Sequence, residues 1–188
     1  LLTHQDDDHM GAAFELVQRY SQLQVAASRT ERPFLSGEKK NLRLEQAEQL
    51  QEHLPEEQKA FGLQFCQRLR AVRPVKVDLE VEEGDWFPWA GGGRVLATPG
   101  HNPGHISLYL EQEQVLITGD AAVAEGGRLE VANPQFCLDP EQELAWLCGR
   151  LGGCYADLMG GQFRINFLEA KRLDVGDDRD DDPTVPTA

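Results

Sequence analysis

The pattern of apolar and polar residues changes period near residue 76, and the two halves predict different elements. Leu1-Leu2-Thr3 reads as the tail of a buried strand, followed at once by a polar loop. The apolar run Met10-Gly11-Ala12-Ala13-Phe14-Glu15-Leu16-Val17 then predicts a helix. Strand, polar loop, helix is how α/β proteins present a site at the carboxyl ends of their strands. Val25-Ala26-Ala27 predicts a short strand, with a loop through Pro33 and Gly37 after it. Leu44, Ala47, Leu50 and Leu54 recur at helical spacing, and Pro55 restarts a helix whose apolar face is Phe61, Phe65, Leu69 and Val72. The two faces predict a helical hairpin, packed on a sheet or forming a lid.

Beyond residue 76 the pattern is that of strands. Val77-Asp78-Leu79-Glu80-Val81 alternates as a half-buried strand does. Gly84-Asp85 and Gly91-Gly92-Gly93 mark turns. Arg94 to Thr98, Ile106 to Leu110 and Val115 to Thr118 are three further strands in close succession. Asp139-Pro140-Glu141-Gln142 is a helix start, with Asp139 as N-cap, Pro140 at the first helical position and Gln142 at the third. Leu144, Leu147 and Leu151 form the buried side of that helix, and Gly152-Gly153 ends it. Phe163, Ile165, Phe167 and Leu168 suggest one more element.

Composition narrows the class. The chain has 188 residues, 40% of them apolar and 27% charged, which fits one globular domain with its own core. A net charge of -14 disfavours nucleic acid and anionic membrane surfaces as partners. A small-molecule substrate is the expected partner, and the oligomeric state is left open. The segment from Asp174 to Asp182 is acidic and poor in large apolar residues, so residues 171–188 read as a disordered tail and residues 1–170 as the domain. Cys66, Cys137, Cys148 and Cys154 form no Cys-x-x-Cys pair. They read as free thiols of a cytoplasmic protein.

The chemistry lies in three clusters: Thr3-His4-Gln5-Asp6-Asp7-Asp8-His9, Thr98-Pro99-Gly100-His101-Asn102-Pro103-Gly104-His105, and Thr118-Gly119-Asp120. Imidazoles and carboxylates suit a borderline to hard divalent metal. Two histidines and three aspartates within His4 to His9 are costly beside apolar elements unless a cation compensates them. Extended backbone there would put His4, Asp6 and Asp8 on one side and His9 on the other, so the loop can serve two adjacent metals. Two metals about 3.5–4 Å apart are a familiar hydrolytic device. His101 alone reads equally as a ligand or part of a turn, His105 as a residue that supports ligands or packs, and His53 as surface.

The three clusters, in this order, resemble the metallo-β-lactamase superfamily. The likeness covers roughly residues 1 to 150, including Glu31-Arg32-Pro33-Phe34 and Asn133-Pro134-Gln135-Phe136. It implies an α/β fold of two similar sheets between helices. Here that would be an incomplete αββα sandwich lacking its first strands, because a chain opening on Leu1-Leu2 and running straight into a ligand motif looks like a fragment. It implies that His4, Asp6 and His101 bind a first metal, that Asp8 and His9 bind a second, and that Asp120 bridges the two. Asp6 stands where many members carry histidine. Asp8 is the implied catalytic residue: in members that hold one metal, its position orients the attacking water. The implied cofactor is zinc, one ion or two, with iron or manganese as alternatives. The implied reaction is hydrolysis of an ester, thioester, lactone or lactam by metal-held hydroxide. Arg32, Phe34 and the Trp86 to Trp89 segment are candidates to line the substrate cleft. Members carry a final histidine on the second metal, whereas no histidine follows His105 here. Asp157 is a candidate substitute, and the alternative reading is a non-catalytic chain that binds one metal or none.

Overall fold

The computed structural model describes residues 1–113, 115–125, 128–151 and 164–166. The helices are α1 (Asp7–Met10), α2 (Ala13–Arg19), α3 (Arg32–Leu35), α4 (Leu42–His53), α5 (Glu56–Ala71) and α6 (Pro140–Leu151). The strands are β1 (Ala26–Ser28), β2 (Leu79–Val81), β3 (Trp86–Phe87), β4 (Gly93–Ala97), β5 (Ile106–Leu110), β6 (Val115–Ile117), β7 (Val123–Glu125), β8 (Arg128–Glu130) and β9 (Arg164–Asn166). β1 and β2 pair in parallel, β3-β4-β5-β6 form an antiparallel meander, and β7-β8-β9 form a third, antiparallel sheet.

Small apolar residues in β1 let it be buried on both faces. Val25 and Ala27 face a cluster of Met10, Ala13, Leu35 and Val75. Ala26 faces Val81, Val95 and Ile106 on the other side. This is the period-two geometry of a strand with no solvent face. Leu1-Leu2-Thr3 is not a ladder strand, but it does bridge two sheets: Leu2 N donates to Ala26 O (2.8 Å) and Ile106 N donates to Thr3 O (3.1 Å). The first ligand loop therefore leaves from between β1 and β5.

The single helix expected over residues 10–17 is two, α1 and α2, and helical backbone begins at Asp7 rather than Met10. The hairpin of α4 and α5 forms as expected, but its apolar faces are only partly covered. Ala47, Cys66 and Leu69 are buried, whereas Leu50 is 57% and Phe61 74% exposed. The strand expected from Val77 is shorter, starting at Leu79. Gln142 N donates to Asp139 Oδ1 (2.9 Å), the N-cap bond expected for α6, and Leu147 is fully buried. β9 falls within the element expected around Ile165. The expected end of α6 at Gly152-Gly153, Cys154, Asp157, Phe163, Phe167, Leu168 and the tail from residue 171 lie outside the described residues. Cys66, Cys137 and Cys148 are free thiols. Among the described residues, no helix is long and apolar enough to cross a membrane.

Candidate metal centre

The first ligand loop is extended through Asp6 and then turns helical. Asp6 occupies the N-cap of α1 in extended conformation, and its carbonyl accepts from His9 N and Met10 N, both at 3.0 Å. The alternation expected of a fully extended loop therefore holds only for His4 and Asp6. Asp8 and His9 are separated from them because they ride on the first turn of α1. Gln5 points the other way and docks α4: its Oε1 accepts from Leu42 N (2.8 Å) and its carbonyl accepts from Asn41 Nδ2 (2.7 Å).

The second loop, Thr98 to His105, is held from both sides. Leu138 N and Asp139 N donate to His101 O (3.2 Å) and Gly100 O (2.9 Å), seating the loop on the start of α6. Gly100 adopts φ 144, and a Cβ there would collide with the Glu143 backbone, so this close approach requires glycine. Buried Glu31 straps the two loops together. Its carboxylate accepts from Gln5 N (3.1 Å) and Gly104 N (3.0 Å).

Asp120 is placed by a hydrogen-bond relay whose polarity is fixed throughout. Asp120 N donates to His105 Nε2 (3.1 Å), so His105 Nδ1 carries the proton and donates to Thr98 Oγ1 (2.6 Å). Ser107 Oγ donates to Thr118 O (3.1 Å), so Thr98 donates to Ser107 (3.0 Å). With both ring nitrogens engaged, His105 supports Asp120, the supporting role expected for it. Gly119, at φ 55, leaves room for the ring: a Cβ would sit 2.8 Å from His105 Nε2.

These loops bring the expected residues together. His101 Nε2 lies 3.2 Å from Asp6 Oδ2 and 3.5 Å from Asp120 Oδ2, and His4 Nε2 lies 3.8 Å from Asp6 Oδ2. His9 Nε2 lies 3.1 Å from Asp120 Oδ1 and 3.7 Å from Asp8 Oδ2. Among the described residues, two groups have ligand atoms mutually within 4.8 Å: His4, His101 and Asp120, and Asp8, His9 and Asp120. Metal–ligand bonds of about 2.0–2.2 Å in a tetrahedral shell put ligand atoms roughly 3.3–3.6 Å apart, so the spacing fits a cation. His4 Nε2 supplies a second test. It is buried, has no hydrogen-bond partner among the described residues, and faces carboxylates. A buried orphan nitrogen costs free energy that a metal bond would recover.

Electrostatics point the same way. Burial first, then neighbouring His105, holds His4 well below the usual imidazole range, so it is neutral, as a ligand must be. His105 is likewise pushed down, to about 3, chiefly by burial. Burial alone would raise the Asp6 carboxyl, but the His101 hydrogen bond and the Arg43 charge outweigh it and keep Asp6 ionised. The hydrogen bond between His9 and Asp120 raises the imidazole and lowers the carboxyl.

Several residues of the centre were not anticipated. Arg43, 3% exposed, sits on Asp6: Nε and Nη2 donate to Oδ2 at 2.9 and 2.8 Å, and Nη2 lies 3.2 Å from His101 Nε2. Asn102 Nδ2 donates to Asp6 Oδ1 (3.2 Å). Glu143, pushed up to about 7 by burial, lies under the second loop and accepts from Cys137 Sγ (2.6 Å). Nothing in local spacing marks Arg43, because its partner is 37 residues away. The start of α4 was the available signal. Arg32 and Phe34 do not line the cleft beside the centre, nor does the Trp86 to Trp89 segment. That cleft, about 100 Å³, is walled by Asp6, Asp8, Arg43, Phe65, His101 and Phe136 among others. Arg32 instead pairs with Glu38 and Glu80. His53 is exposed, as expected.

The family model described as "Metallo-beta-lactamase superfamily" matches residues 1–152. The chain belongs to that superfamily. The hydroxyacylglutathione hydrolase GloC of Haemophilus influenzae is 31% identical to it over 127 residues, 68% of this chain and 50% of the relative. A hydroxyacylglutathione hydrolase of Cereibacter sphaeroides is 44% identical over 61 residues, 31% of this chain and 24% of the relative. The chain thus spans half or less of the length of these curated relatives. The metallo-beta-lactamase family protein TTHA1429 from Thermus thermophilus superposes with a TM-score of 0.54 at 26% identity, over 80% of this chain and 49% of that one. TTHA1623, solved in a di-iron-bound form, superposes with a TM-score of 0.52 at 23% identity, over 79% and 61%. The mixed α/β architecture is that of the superfamily, and this chain covers part of the fold.

Proposed function

We propose that the centre belongs to a metal-dependent hydrolase of carbonyl compounds, with zinc as the metal. The observation that carries this reading is the buried Nε2 of His4, which has no hydrogen-bond partner among the described residues and lies among acidic groups. His4, Asp6, His101 and Asp120 would hold one ion. Asp8, His9 and the shared Asp120 would hold a second. When bound, such ions lower the pKa of water from 15.7 toward about 7 and polarise the carbonyl under attack. Where one ion is held, Asp8, with its side chain 68% exposed at the mouth of the centre, would orient the attacking water. His105 and Glu31 would keep the ligands in register. The substrate bond is an ester, thioester, lactone or lactam. The names of the Haemophilus and Cereibacter relatives favour the thioester among these.

The test is metal analysis of the purified chain with a hydrolysis screen over those four bond classes. Bound zinc and turnover, both lost in His4→Ala, support the proposal. A chain without bound zinc, iron or manganese and without His4-dependent turnover defeats it. The rival reading, a non-catalytic chain holding one ion or none, draws on the absence of any histidine after His105. One ion per chain without turnover would favour it.

A further inference from the structure

A second, larger pocket of about 400 Å³ lies between α4 and α5, lined chiefly by Ala47, Leu50, Leu54, Phe61, Phe65 and Phe136. Its size falls within the range of small-molecule sites, about 300–1,000 Å³. Gly62 forms part of its wall, and a Cβ there would collide with Gln51 and Leu54, so glycine permits the close approach of the two helices. The pocket is not isolated. Phe65 and Phe136 also line the cleft that reaches Asp6, Asp8, His101 and Asp120. Each of these two rings meets a cation as well: Arg68 lies 5.1 Å from the Phe65 centroid and Arg43 lies 5.3 Å from the Phe136 centroid. The two rings thus mark a step from a charged, carboxylate-lined cleft to an apolar one. Leu50 and Phe61 leave large apolar surface in water along the outer groove, a cost that an apolar occupant would remove.

We infer that this groove receives the apolar acyl chain of the substrate, an ester or thioester whose carbonyl lies in the adjoining cleft. The inference rests on the hydrolase reading above. The occupant is a chain attached to the scissile carbonyl, because Phe65 and Phe136 wall both the groove and the cleft. In the reaction the bond from the acyl carbon to oxygen or sulfur breaks and a bond from that carbon to water oxygen forms. The leaving group takes a proton, and the acyl chain departs as a carboxylic acid.

The experiment uses the zinc-loaded 188-residue chain and p-nitrophenyl esters with saturated acyl chains from acetyl to decanoyl. Each methylene that enters the groove should raise kcat/KM about four-fold, the equivalent of about 0.8 kcal/mol, until the groove is filled. Leu50→Asp and Phe61→Asp change exposed side chains, so the fold should persist. Both should flatten the chain-length series and leave the acetyl ester rate unchanged. Turnover of the acetyl ester with no chain-length rise in wild type, or with the same rise in both variants, overturns the groove and leaves the hydrolase reading standing. If no p-nitrophenyl ester turns over, the hydrolase reading is left to the screen over all four bond classes, and calorimetric titration of decanoate into the metal-free chain decides the groove. Binding that Leu50→Asp abolishes supports an acyl groove, and absence of binding overturns it. A concentration-dependent dimer that Leu50→Asp disperses, with no decanoate bound, also overturns it, because the groove would then be an interface.

Discussion

Replacing Arg43 by methionine should separate the guanidinium's hold on Asp6 from that of the proposed metal. In the metal-free protein Asp6 is almost wholly buried and its Oδ2 accepts both Nε and Nη2 of Arg43. Arg43→Met keeps much of the stem that packs against Phe136 but leaves Asp6 with Asn102 and His101 alone. Removing one partner of a buried pair costs about 3–5 kcal/mol. At about 2–4 °C per kcal/mol for a chain of this length, the melting temperature should fall by roughly 6–20 °C in EDTA. The gap should narrow in saturating zinc, because the variant's centre is one unit more negative. Zinc affinity should rise at least about ten-fold, since charges about 4 Å apart interact by several kcal/mol even at an effective dielectric near 20. The pH dependence has a definite sign. The Asp6 carboxyl is depressed in the fold, so its contribution is present above the ordinary carboxylate pKa and is lost as pH falls through the folded value. The wild-type advantage should be full at about pH 6–8 and shrink below about pH 4. Urea unfolding in EDTA and in zinc, with chelator competition for affinity, reads all of this. A variant that melts within about 2 °C of wild type and binds zinc no more tightly refutes the charge argument.

Glu31→Gln should cost about 1–3 kcal/mol, because an amide cannot accept from both Gln5 N and Gly104 N; urea unfolding together with zinc content measures it. Gly119→Ala should lower stability by about 1–3 kcal/mol through a left-handed backbone and a Cβ pressed on His105. It should also weaken metal retention, whereas a variant with normal zinc content would mean that Asp120 does not depend on the relay. Acidification should release metal in two steps. The raised His9 imidazole takes up a proton first, while burial keeps His4 neutral far lower. In the metal-free protein the His9–Asp120 contact should stabilise below the unfolded imidazole pKa and fade as pH rises through the folded one. Zinc retained per chain, followed from pH 8 to pH 5, should therefore fall through an intermediate plateau, and a single step would refute the ordering.

The meander β4-β5-β6 and helix α6 were legible because their signals are local: Val95-Leu96, Ile106 to Leu110 and Val115 to Ile117 are short apolar runs, and Asp139 caps its own helix. The clusters at His4 to His9, Thr98 to His105 and Thr118 to Asp120 stood out because unlike chemical groups crowd into few positions, and the fold brings them together. What was hidden depends on long-range pairing. β1 meets β2 across more than fifty residues, and in parallel, which no local period encodes. Glu31, in a segment read as a loop, and Arg43, in the first turn of a helix, show no local sign of their partners until the fold sets them against Gly104 and Asp6. Leu50 and Phe61 satisfied helical spacing yet remain exposed, because periodicity identifies an apolar face without saying what covers it.

The most direct test of the metal centre is a crystal structure of the zinc-soaked chain with anomalous scattering recorded at the zinc edge. The predicted result is a peak bounded by His4 Nε2, His101 Nε2, Asp6 and Asp120, with a second, weaker peak beside Asp8 and His9. Absence of anomalous density among these six residues, with Arg43 still closing on Asp6 and His101, would contradict it.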